Sequence, residues 1–235
     1  MKQAIGTLAL LCATLAQAQE TGVTVSVGVK AWSTQWTTFG YYPGVVGVPS
    51  ILLKQVTAAD KVVMLPALTV RYRDWVASLS GYPSTDHHLS DGAVNSRSEV
   101  DFSGGYYVLP GLALTLGYKR VSQLERGGSN RYVLGGPVLG LNASAALNGS
   151  VSIYGAMGLG RLKPAGSGNV IFDADYRLSE VGLAYTHALG MDRFVRAVNF
   201  TLGYRMQALT SKEAFGAQDG RDLTQGLTLG LFASF

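Results

Sequence analysis

From Leu223 to Phe235 the chain alternates with a period of two. Leu223, Leu227, Leu229, Leu231 and Phe235 share one parity, while Thr224, Gly226, Thr228, Gly230 and Ser234 fill the other. Successive side chains of a β-strand point to opposite faces, so this pattern makes a strand with one oily and one small or polar face. The same period returns in nine earlier segments, and the spacing between them sets the architecture.

Strands are expected over 23–37, 62–73, 75–83, 98–109, from Leu112 through Tyr118, and over 132–146, 151–162, 175–188, 194–209 and 223–235. The clearest alternations are Val100, Phe102, Gly104, Tyr106 and Val108 against Glu99, Asp101, Ser103, Gly105 and Tyr107, and Val198 to Met206 against Asn199 to Gln207. Tight connections fall at Arg73-Asp74, at Pro110-Gly111, around Asn148-Gly149 and at 189–193, where the residue types suit turns. Long connections fall at 38–61, 83–97, 124–131, 163–173 and 210–222. Long and short alternate strictly, as in an up-and-down barrel with loops at one end and turns at the other. The expected fold is therefore all-β, a transmembrane up-and-down antiparallel β-barrel of about ten strands. Twelve is one alternative, because Val45–Val48 and Ile51–Leu53 are apolar enough for an extra hairpin; eight is the other.

Composition fits a wall between lipid and lumen. Only 14% of residues are charged, well below the quarter usual in soluble domains. Yet no segment after the first eighteen residues approaches the roughly 20 apolar residues of a transmembrane helix. Lys2, an apolar stretch over 5–16 and Ala16-Gln17-Ala18 read as a secretory signal peptide, cleaved before Gln19. This divides the chain into 1–18, a removed leader, and 19–235, one barrel domain. The single cysteine, Cys12, lies in the leader, so disulfides and thiolate chemistry are not expected, and no metal or other cofactor is. The basic excess is small and scattered, which gives nucleic-acid binding no support.

The terminal strand, with Leu227, Leu229, Leu231 and Phe235 in register, resembles the C-terminal assembly signal of Gram-negative outer-membrane β-barrels. That resemblance implies the outer membrane as compartment, with lipid and lipopolysaccharide as surroundings. It also implies the barrel-assembly machinery and periplasmic chaperones as partners. Trp32, Trp36, Phe39, Tyr41 and Tyr42 are expected as an aromatic girdle at the outer end of the first strand. Tyr72, Trp75, Tyr106 and Phe235 are expected as its periplasmic counterpart.

Parity assigns Lys30, Arg71, Arg73, Glu99, Asp101, Lys119, Glu180 and Arg205 to the lumen. Such charges serve either a polar conduit or a salt-bridge network that fills a narrow barrel. Two clusters could activate a water for hydrolysis: Asp86-His87-His88 with Asp91, and Asp173-Ala174-Asp175. Ten strands with acidic and histidine residues at one mouth resemble the omptin proteases. The Asp-His and Asp-x-Asp elements occupy the opposite loops from that family's order, so no catalytic residue carries over. His187 shares the outward parity of Tyr185 and reads as an interfacial histidine. The leading expectation is non-enzymatic: a structural membrane protein or a narrow passive channel for small solutes. A surface-interaction barrel acting through loop 38–61 is the second reading, and a hydrolase using Asp86, His87, Asp173 and Asp175 the third.

Overall fold

The computed structural model describes residues 22–42, 51–128, 131–166, 172–190, 194–214 and 218–235. The leader read over 1–18 and the apolar run Val45–Val48 lie outside them. Eleven strands follow one another without a helix among the described residues: β1 Val23–Tyr42, β2 Ile51–Thr57, β3 Lys61–Tyr72, β4 Trp75–His88, β5 Val94–Leu109, β6 Leu112–Arg126, β7 Arg131–Ala146, β8 Val151–Pro164, β9 Ala174–Ala188, β10 Ala197–Ala214 and β11 Gln218–Ser234. Every pairing is antiparallel, and β11 returns to pair with β1, closing a barrel of ten strands. The remaining strand, β2, pairs only with the far end of β1, from Thr37 to Tyr42. Part of segment 38–61 is therefore strand, and the barrel count of ten stands.

The register fixes the barrel's girth. From Ser26, the paired residues run through Thr69, Ser78, Ser103, Gly117, Val138, Gly160, Tyr176, Leu209 and Asp222, and return to β1 at Thr38. The stagger is twelve residues, from 26 to 38. With ten strands, that stagger tilts the strands by about 40° and sets a radius of roughly 10 Å at the Cα atoms. Inward side chains from opposite walls meet across a lumen of that width. The core of this fold is consequently its lumen. Trp32, Trp36, Arg97, Lys119, Leu162 and Gln207 are among its most completely buried side chains.

The outer wall shows the reverse. Leu116 is 64% exposed, Leu139 62% and Leu229 61%, and Phe102, Met157, Leu183 and Leu202 stand beside them in a continuous apolar band. Exposed apolar area of this extent is unfavourable in water and matched to hydrocarbon. At the edge of the band the closing seam is double-pinned. Val25 N–H donates to the Phe235 carbonyl at 3.3 Å, and Phe235 N–H donates back at 2.8 Å. The Phe235 ring packs on Phe194 with centroids 5.0 Å apart and contributes to the cluster around Val25.

Connections differ from expectation in a regular way. At the loop end, β4 and β5 run on to His88 and start again at Val94, leaving only 89–93 where 83–97 was expected. At the turn end, Arg73-Asp74 and Pro110-Gly111 are as short as expected, with Arg73 at φ 55° and Gly111 at φ 82°. Strand β10 begins at Ala197, later than the expected 194.

Candidate functional site

Six of the eight charges assigned to the lumen by parity meet inside it, in two layers. The layer nearer the loop end centres on Glu99 of β5. Its Oε1 accepts from Arg97 Nε at 2.7 Å and from Gln207 Nε2 at 2.8 Å, and its Oε2 accepts from Lys119 Nζ at 2.6 Å. Lys119 also donates to both oxygens of Asp101 at 2.9 Å. Arg97 reaches β11, where its Nη1 donates to Thr224 Oγ1 at 2.8 Å. Arg97, Lys119 and Gln207 are each 1% exposed. Glu99 thus ties β5 to β6 and, across the barrel, to β10. A buried carboxylate is tolerable only when charges and donors surround it this completely.

The second layer lies toward the turn end and centres on Glu180 of β9. Lys30 of β1 pairs with its Oε1, Tyr154 of β8 donates to the same oxygen at 2.9 Å, and Arg205 Nη1 approaches Oε2 at 3.4 Å. Tyr154 lies flat because Gly182 and Gly203 sit beneath it, where any Cβ would meet its ring or hydroxyl. Together the layers set four cations against three carboxylates inside the lumen, each of them paired.

Arg71 and Arg73 are the two assigned charges that join neither layer. Arg71 has lumen parity but stands at the exposed turn-end mouth, its guanidinium 4.2 Å from the Tyr107 ring centroid. The assignment of Arg73 needs correction. It occupies the tight turn after β3, where the strand has ended and parity no longer applies, and it stacks over Tyr72 at 5.1 Å.

Two tryptophans were misassigned in the opposite sense. Trp32 and Trp36 point into the lumen and are 1% exposed, so neither belongs to an aromatic girdle. Arg205 lies 5.1 Å from the Trp32 ring and Arg97 5.3 Å from the Trp36 ring. Their even numbering matched Gly28 and Lys30, so the parity that placed Lys30 inside already placed them there.

The proposed hydrolytic residues do not assemble. His87 is in strand β4 instead of a loop, buried, with Nε2 hydrogen-bonded to the Tyr82 hydroxyl at 2.7 Å and its ring edge-on to Trp36. Asp86, its neighbour, faces the other side of the strand and pairs with Arg126 at 2.8 Å. Asp173 pairs with Arg161 at 3.1 Å, and Asp175 is exposed on the outer face of β9. Strands β4 and β9 lie on opposite sides of the ten-stranded ring. His88 points away from His87, so the adjacent histidines do not converge.

Above the Glu99 layer, toward the loop end, the lumen widens into a vestibule of about 310 Å³. Its wall is apolar where Val121, Leu134, Leu209 and Phe172 line it, and its rim carries Lys54, Asp91, Glu125 and Asp222. Lys54 and Asp91 pair at 2.7 Å. The hydrogen bond from the Lys54 ammonium, and a second from the Ala93 N–H, hold the Asp91 carboxyl below its usual range.

No protein-family profile matches the sequence, and no curated protein does. Among solved structures, the outer membrane protease OmpT from Escherichia coli is similar, at 10% identity over 91% of this chain and 96% of that one, with a TM-score of 0.49. The Pseudomonas putida toluene transporter TodX is similar at 10% identity over 91% and 89%, with a TM-score of 0.33. A Pseudomonas aeruginosa FadL homologue is similar at 9% identity over the same shares, also with a TM-score of 0.33. Likenesses at this level define neither a family nor an activity.

Proposed function

We propose that this chain is an integral outer-membrane β-barrel with a non-enzymatic role, and that its lumen is closed to free passage of solutes. The observation that carries this reading is the Glu99 layer: Arg97, Lys119 and Gln207 reach one buried carboxylate from three strands, and none of the three exceeds 1% exposure. A water-filled conduit leaves its lining groups hydrated, whereas these are desolvated and paired. The apolar outer band supports membrane insertion, and the expected leader and terminal-strand signal support the outer membrane as its place. The role is then that of a membrane-embedded scaffold presenting its loop end to the outside.

Liposome swelling tests the closed lumen. Vesicles carrying the refolded protein should swell in small sugars no faster than protein-free vesicles. Swelling at the rate of an open porin would reject it.

A surface-interaction reading draws support from a separate observation. Strand β2 stands outside the ten-stranded ring, held by β1 and by the Lys54–Asp91 pair. It extends the wall at the loop end, where a partner would first make contact.

A further inference from the structure

The vestibule wall combines features that together describe a ligand. Its apolar side, Val121, Leu134, Leu209 and Phe172, offers burial to an alkyl or aromatic body, and its volume of about 310 Å³ suits a small molecule. Facing this wall is Asp222 of β11. Its Oδ1 accepts from Thr38 Oγ1 at 2.8 Å, and its Oδ2 accepts from Gln123 Nε2, across the lumen, at 3.0 Å. Both donors are neutral, and no ion pair reaches Asp222 among the described residues. An ionised carboxylate has room for about four hydrogen bonds, so it retains capacity for more. Of the nearby cations, Arg97 is engaged by Glu99 and Thr224 and Lys54 by Asp91, while Arg221, the next residue on β11, is exposed.

A second, independent observation comes from the wall itself. Trp36 lines the vestibule and is 1% exposed, yet its indole N–H has no acceptor. Asn95, also in the lining, has a buried side-chain oxygen without a donor. Unmet polar groups are costly in a buried wall, and a protonated amine, which carries donors only, can satisfy the Asn95 oxygen.

We propose that the vestibule binds a small amphipathic organic cation. Its protonated amine pairs with the Asp222 carboxylate, while its apolar body lies against Val121, Leu134, Leu209 and Phe172. The charged layer at Glu99 forms the floor, so the site is blind and is entered from the loop end. This binding role goes beyond that of a scaffold and stands whether or not the lumen conducts.

Three probes of similar size separate the contributions: 2-phenylethylamine, 2-phenylethanol and 3-phenylpropionate. Each is titrated calorimetrically into the refolded full-length protein in detergent, against detergent alone, with tryptophan fluorescence as second readout. The amine should bind at least about tenfold tighter than the alcohol or the acid, as an ion pair at a partly desolvated carboxylate requires. Asp222→Asn should cut the amine's affinity by about tenfold and leave the alcohol's unchanged. Leu134→Trp, which fills the apolar wall, should abolish binding of all three. The proposal is overturned by equal affinities for the three probes, by preference for the acid, or by no binding of the amine. Full amine affinity in either variant would overturn it too. Heat-modifiable migration on electrophoresis establishes that each variant is folded, and Leu134→Trp serves alone if Asp222→Asn does not fold.

Discussion

Glu99 is the residue on which the interior depends. It accepts hydrogen bonds from Arg97, Lys119 and Gln207, and it balances two cations that are themselves almost wholly buried. Removing one partner of a buried pair leaves the other charge without compensation, which typically costs about 3–5 kcal/mol. Glu99→Gln should therefore lower stability by that amount in urea unfolding from lipid vesicles. Replacing Arg97, Glu99 and Lys119 with Met, Leu and Met, together with Asp101→Asn, should cost less than the single change, because no charge is then stranded. A single-variant loss below about 1 kcal/mol would show that water reaches the layer. Three charges of this layer were legible in the sequence, since parity alone sends Glu99, Asp101 and Lys119 inward; Arg97 was not, because it falls in the segment 83–97 that reads as a loop. Their partners were not. Gln207 and Thr224 are 108 and 127 residues away from Glu99 and Arg97, and only the barrel's stagger decides which inward residues face one another.

Among the elements, β11 and β2 make opposite contributions. Strand β11 closes the barrel through β1, with Val25 and Phe235 exchanging hydrogen bonds at the seam and Phe235 packed on Phe194. Phe235→Ala should reduce the fraction of protein that reaches the heat-modifiable folded form during membrane assembly severalfold, while the folded remainder keeps its β-structure by circular dichroism. An undiminished folded fraction would remove Phe235 from that role. Strand β2 takes no part in ring closure, so deleting 43–57 should leave a folded barrel. That deletion removes Lys54 from Asp91 and the Ala58 bridge's neighbouring support for Leu89, so protease should cut 89–93 faster. Strand centres were legible because apolar and polar residues alternate sharply there. Strand ends at the loop side were not. Above the apolar band the outward positions of β5 are Ser96 and Ser98, the contrast between faces fades, and 83–97 reads as a loop although most of it is strand. His87 was misread for the same reason.

Taken as a whole, the molecule is inverted relative to a soluble protein, with its core in the lumen and its most apolar surface outside. The even stagger of twelve residues keeps the two faces consistent around the ring, and the odd–even pattern breaks in β4, where a register shift between Tyr82 and Thr85 turns both Tyr82 and His87 inward. Leu116, on the outer band, should tolerate Arg poorly: a cost of about 2–4 kcal/mol is expected in vesicles if it lies near the bilayer midplane. A cost near zero would place that band at the membrane surface. The vestibule and the two charged layers are properties of this scale only, since each is built from at least three strands remote in sequence. The central claim is that the layers close the lumen, and single-channel recording in a planar bilayer tests it most directly. The wild-type protein should give no steady conductance steps, while a variant with both layers removed (Arg97, Glu99, Lys119, Lys30, Glu180 and Arg205 all changed to Ala) should give them under the same conditions. Steady steps from the wild type, at the level seen with that variant, would contradict the account.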